Sequence, residues 1–151
     1  MMNDTGIKKI MIIFICVLGI GCAQTVEANV IKVKTKGSDG AYRFSVTLKS
    51  TETGCDQYAD WWEVVSKKGE LLYRRILVHS HPDTQPFTRS GGNVNIQKDD
   101  IVYIRGHMNK EGYVGDVMMG SVSEGFKKVN EVVNFSETLE TQTPLPKGCL
   151  Y

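Results

Sequence analysis

The chain has 151 residues, 41% of them hydrophobic, with 18 Lys+Arg against 17 Asp+Glu. That length suits one compact domain, and the apolar fraction excludes both a disordered chain and a multi-span membrane protein. A net charge of +1 provides no basic field for nucleic acid, so no such partner is expected.

Lys8 and Lys9 precede an uncharged apolar run from Ile10 to Gly21. The run is about a dozen residues, against the roughly 20 that a membrane-spanning helix needs. A basic start, a short apolar core and small residues after it predict a secretory signal peptide over residues 1–23. Small residues at Gly21-Cys22-Ala23 and at Val26-Glu27-Ala28 leave cleavage at 21 or at 28 open as well. The stretch Leu18-Gly19-Ile20-Gly21-Cys22 resembles a bacterial lipobox, with Gly19 where Leu is usual. By that route Cys22 is lipidated and the protein is anchored to a bilayer. Export is expected either way, to the periplasm or as an outer-membrane lipoprotein, with the membrane contacted only through such an anchor. Loss of Asp4, Lys8 and Lys9 leaves sixteen basic and sixteen acidic residues, so no polyanion or polycation is implied as partner.

Of the four cysteines, Cys16 leaves with the signal peptide and Cys22 leaves or carries lipid. Cys55 and Cys149 remain, bound for an oxidising compartment, and a disulfide between them is the simplest outcome. Chain-entropy estimates put such a long-loop bridge at about 4–5 kcal/mol. A two-Cys metal site is the alternative, and it lacks close ligand spacing.

The mature chain, from residue 29 to 151, reads as a succession of short strands. Val30–Lys36 alternates, and Ser38-Asp39-Gly40 is a turn signal. Tyr42, Phe44, Val46 and Leu48 alternate with Arg43, Ser45 and Thr47, which makes the clearest half-buried strand. Tyr58–Val65 is aromatic and β-branched, and Lys67-Lys68-Gly69 connects it to Leu71–His79. Pro82–Gly92 reads as an Ω-type loop, followed by a short strand at Val94–Ile96. Ile101–Met108 predicts a further strand, and Tyr113–Val122 a Gly-broken one. Phe126–Phe135 could add another. From Glu124 onward the chain is polar, with Thr141–Gly148 an extended tail held by Cys149. About seven short strands separated by turns predict an all-β protein, an antiparallel β-sandwich of immunoglobulin-like style with a C-terminal tail, and a small barrel as competitor.

The chemistry-bearing candidates are few. His79 and His81 are two apart and share a face of any strand. With His107 they make a candidate copper or zinc site, to which Met108 would add a soft ligand and Asp83 a carboxylate. The bland reading is that the imidazoles hold the Pro82–Gly92 loop in place. Asp56, Asp60, Glu63 and Asp83 surround the aromatic segment, but nothing sets a pair of them at a catalytic separation. No Gly-x-Ser-x-Gly elbow supports a hydrolase, which stays a further alternative. Trp61 and Trp62 face opposite ways on a strand, so one is core. The other is either a stacking platform or covered by the tail. Arg74, Arg75, Arg89 and Arg105 have candidate carboxylate partners in Glu63, Asp60 and Asp83.

Two motifs carry a resemblance. Tyr58-Ala59-Asp60-Trp61-Trp62-Glu63-Val64 and His79-Ser80-His81-Pro82-Asp83-Thr84-Gln85-Pro86-Phe87-Thr88-Arg89-Ser90 resemble paired motifs in a group of small secreted bacterial proteins. The likeness spans roughly Tyr42 to Gly115. That group has no established activity, so the resemblance implies export and nominates one motif cluster: Asp60, Trp62, Glu63, His79, His81, Asp83, Gln85, Phe87 and Arg89. The Cys55/Cys149 pair and the longer tail depart from the group. The expectation is an exported, monomeric envelope module with a binding or structural role toward an envelope component.

Overall fold

Alternation of apolar and polar side chains along Tyr42–Ser50 sets the first layer of the fold. Phe44, Val46 and Leu48 are fully buried there, while Arg43 and Lys49 are exposed. The structure is a computed structural model that describes residues 25–129 and 135–150. The expected signal peptide at 1–23 and the lipidation candidate Cys22 lie outside the described residues.

Eight strands are present among the described residues: β1 (Ala28–Lys36), β2 (Tyr42–Ser50), β3 (Ala59–Ser66), β4 (Leu71–Ile76), β5 (Phe87–Val94), β6 (Val102–Met108), β7 (Met118–Ser121) and β8 (Gly125–Lys128). They form two antiparallel sheets, ordered β1-β2-β5 and β4-β3-β6-β7-β8. The order β1-β2-β5 facing β4-β3-β6-β7 is that of an immunoglobulin-like sandwich, with β8 added at one edge. Among the described residues the two sheets stay separate, which is a sandwich and not a barrel.

Between the sheets lie Val30, Phe44, Val46, Leu48 and Phe87 from one layer. Trp62, Val64, Val102, Ile104 and Met108 come from the other. Each such large side chain contributes roughly 1.5–3 kcal/mol by leaving water. Gly106 lets β1 approach: a Cβ there would stand 2.8 Å from the Ala28 carbonyl oxygen. Gly91 does the same for Tyr73, whose hydroxyl would stand 2.4 Å from an added Cβ.

Gly91 also explains where the sequence reading fails. The expected Pro82–Gly92 loop is a loop only as far as Pro86, and Phe87–Gly92 belongs to β5. The Gly pair reads as a turn, but β5 pairs with β2 through it, with a register shift between Tyr42 and Phe44. The expected short strand at Val94–Ile96 is therefore only the end of β5. The Tyr113–Val122 strand shrinks to Met118–Ser121, and the Phe126 strand is the four-residue β8. Residues 130–134 lie outside the described part.

The strand β3 is buried on both faces, Ala59 through Val65. Its inner face meets the other sheet. Its outer face is covered by the tail, which forms a short 3₁₀ helix at Glu137–Thr141 and then runs without regular structure to Cys149. Cys149 is disulfide-bonded to Cys55, and the Leu150 N–H donates to the Val78 carbonyl at 2.7 Å.

Candidate functional site

Two clusters of polar side chains are built on this frame. The first lies on the outer face of the five-stranded sheet, where pairing puts Glu63 of β3 between Arg74 of β4 and Arg105 of β6. Arg74 donates Nε and Nη2 to Glu63 Oε2 at 2.8 and 2.6 Å, and Arg105 Nε donates to Oε1 at 2.8 Å. The carboxylate is fully buried. A buried carboxylate is tolerable only with such partners. Arg74 carries four further bonds, to the carbonyls of Leu139 at 2.6 Å, Gln142 at 2.5 Å and Pro144 at 3.1 Å and to the Tyr113 hydroxyl at 3.3 Å. One guanidinium thus ties the sheet to the tail.

Beside it, Trp61 stacks on His107 at 3.5 Å between ring centroids, with the Arg74 guanidinium 4.4 Å over the indole. His107 Nδ1 meets Asp60 Oδ1 at 2.6 Å, and its Nε2 meets Glu140 Oε1 of the tail at 3.1 Å. The Arg105 guanidinium lies 3.4 Å over the Tyr113 ring. Burial and the adjacent Glu63 carboxylate push the Tyr113 phenol up to about 12, against the opposing pull of Arg105 and Arg74. An Asp–His pair can serve as a general base when its second nitrogen faces a nucleophile. Here that nitrogen faces Glu140 instead, and the ring is buried under the tail. The chemistry of this centre is to hold the tail down.

The second cluster lies at the corner where β4 ends and β5 begins. His81 stacks on Phe87 at 3.9 Å, and its Nε2 contacts Arg89 Nη2 at 2.5 Å. The backbone N–H of His81 donates to Glu52 Oε2, and Glu52 Oε1 accepts from the Ser50 hydroxyl at 2.6 Å and the Ala59 N–H at 3.3 Å. Gln85 closes the ring of contacts. It donates to Ser50 Oγ and the His81 carbonyl, and it accepts from the Ser50 N–H. Burial lowers the His81 pKa, the Arg89 charge lowers it further and Glu52 opposes both. A cavity of about 120 Å³ opens here, lined by Arg75, Ile76, Leu77, Val78, His79, His81 and Arg89.

The nominated motif cluster is therefore divided. Asp60 and Glu63 belong to the outer-face centre with His107. His79, His81, Gln85, Phe87 and Arg89 belong to the corner. Trp62 is in the core, and Asp83 stands exposed in the turn, joining neither group. The three histidines are not brought to one point. Both His107 nitrogens face carboxylates, and His81 faces Arg89. Met108 is buried in the sandwich core, on the face opposite His107. Among the described residues, no group of three His, Cys, Asp or Glu is placed to hold a metal ion. Sequence reasoning missed Tyr113, Glu140 and Glu52. Each lies far along the chain from its partner, and no spacing rule signals such a contact.

No protein-family profile matches the chain, and no solved structure matches it. The chain is 42% identical over 100 residues to a protein of Halomicrobium mukohataei described as "Putative lipoprotein". The match covers 66% of this chain and 49% of that protein, so the chain spans about half the length of the curated relative it matches.

Proposed function

We propose that this is an exported β-sandwich module, tethered to the cell envelope through a lipidated Cys22 and serving a binding or structural role there. The observation that carries the reading is where the fold takes hold of the chain. Thr51 Oγ1 donates to the Thr25 carbonyl and the Thr51 N–H to the Glu27 carbonyl, at 3.0 and 2.9 Å. Ala28 is buried, and its N–H donates to the Val114 carbonyl at 2.8 Å. Cleavage after Ala28 would remove a packed residue of β1, so processing upstream of Thr25 fits better. From Cys22 to Thr25 the chain reaches only about 10 Å, which would hold the domain against the bilayer. The lipoprotein description of the relative supports the tether, and the Cys55–Cys149 bond supports an oxidising compartment.

Copper or zinc binding at His79, His81 and His107 is the weaker reading. The Arg89 guanidinium takes the His81 lone pair that a metal would need and places a positive charge beside it.

The test is expression of the full chain beside a Cys22→Ser variant, followed by membrane fractionation and mass spectrometry of the mature N-terminus. A diacylglycerol mass on Cys22, with the variant released from membranes, is expected. A free N-terminus downstream of Cys22 in the wild type would refute the tether.

A further inference from the structure

The arginines of this protein fall into two electrostatic situations. Arg74 and Arg105 share the Glu63 carboxylate, whereas among the described residues Arg75 and Arg89 form no salt bridge. Both line the corner cavity together with His79 and His81, and among the described residues no acidic one lines it. Glu52 sits behind His81, 3.8 Å from its Nδ1, and is committed to the loop contacts already described.

Arg89 is held in place rather than mobile on the surface. Nη1 donates to the Thr88 carbonyl at 2.9 Å, Nη2 contacts His81 Nε2, and the guanidinium lies 5.4 Å over the Phe87 ring. A guanidinium has five N–H donors. With two engaged, three are left for a ligand. The His81 side chain is nine-tenths buried, with Nδ1 turned toward Glu52 at 3.8 Å and Nε2 toward Arg89, so its ring is a wall that fixes the guanidinium. A fixed guanidinium with free donors and a second guanidinium on the same cavity form a cradle for a tetrahedral anion.

We propose that the corner between β4 and β5 binds a phosphate group, with Arg89 and Arg75 as the charged donors and His79 and His81 completing the cavity wall. The site stands on its own geometry and does not need the lipid tether. Its place on the fold gives the two readings a common sense, since Glu52 of the corner follows directly on Thr51, which grips the chain at Thr25. The phosphate could be that of a lipid headgroup or of a soluble ligand.

The experiment uses the exported protein carrying Cys22→Ser, taken from the soluble fraction. Inorganic phosphate is titrated by NMR, following the arginine Nε–H and histidine ring resonances. Saturable binding is expected, with the Arg89 and Arg75 signals shifting together. Arg89→Gln should weaken it at least about tenfold. Arg75→Gln, at a position of β4 whose side chain is exposed, should weaken it by a smaller factor with the core signals unmoved. Absence of saturation, or binding that neither variant changes, overturns the proposal. Flotation with vesicles of phosphatidic acid in phosphatidylcholine then separates the sources. Capture that inorganic phosphate competes away assigns the headgroup, and phosphate binding without capture assigns a soluble ligand.

Discussion

The outer-face centre and the β4–β5 corner are made of the same materials, arginine, histidine, carboxylate and aromatic ring, and end in opposite conditions. At the centre each charge is matched: Glu63 by Arg74 and Arg105, and His107 by Asp60 and Glu140. The tail seals it. At the corner the one buried carboxylate is used up by loop hydrogen bonds, and two guanidiniums line an open cavity. Neighbouring residues of β4 supply both regions, Arg74 to the first and Arg75 to the second. Alternation along a strand is what sends them to different places.

The largest effect expected from breaking this arrangement is loss of the covalent clasp. Removing the Cys55–Cys149 bond, with its sequence separation of 94, by a double Cys→Ser change should cost about 4–5 kcal/mol. Urea denaturation measures the cost. Hydrogen exchange should show Leu139 to Leu150 losing protection before the strands do. Tail amides that stay protected would mean that Arg74 and the His107–Glu140 contact hold the tail without the disulfide.

Next comes Glu63→Gln, which leaves two buried guanidiniums without their charge partner. A destabilisation of about 3–5 kcal/mol is expected, again by urea denaturation. A cost below about 1 kcal/mol would show that the centre is not charge-coupled as described.

Tyr113→Phe removes a hydroxyl that accepts from Arg74 Nη2 at 3.3 Å and should cost about 1 kcal/mol. In the wild type, ultraviolet titration of the phenols should find one group ionising near pH 12. Because its folded pKa lies above the ordinary value of 10.0, the stability Tyr113 contributes is complete below pH 10 and declines as pH rises toward 12. If the Tyr113→Phe variant keeps that high-pH transition, Tyr113 lies outside the centre.

The smallest effect belongs to the corner. The folded His81 pKa is lowered from 6.5, so its neutral ring favours the folded state above that pH, and the advantage fades as pH falls below it. His81→Gln should flatten this acid-side slope in a denaturation series between pH 7 and pH 5. An unchanged slope would mean that His81 ionises as freely in the folded protein as in the unfolded one.

Much of the fold was legible in order. The period-2 pattern of Tyr42–Leu48 and the β-branched Ile101–Met108 run determined their strands, because one face of each must be apolar to enter the core. The Gly91-Gly92 stretch misled, because a glycine that makes room for Tyr73 reads locally like one that makes a turn. Arg–carboxylate pairing was legible as a class, and its partners were not. Glu63 lies eleven residues from Arg74 and forty-two from Arg105.

By itself the sequence determined the all-β class and the pairing of Cys55 with Cys149, because each depends on alternation or counting. Only the tertiary structure decided that the motif residues separate into a sealed centre and an open corner. It also decided that Trp61 is covered and that Glu140 and Tyr113 belong with His107. Those outcomes depend on which strands pair and where the tail lies down, and long-range contacts of that kind leave no periodicity in the chain.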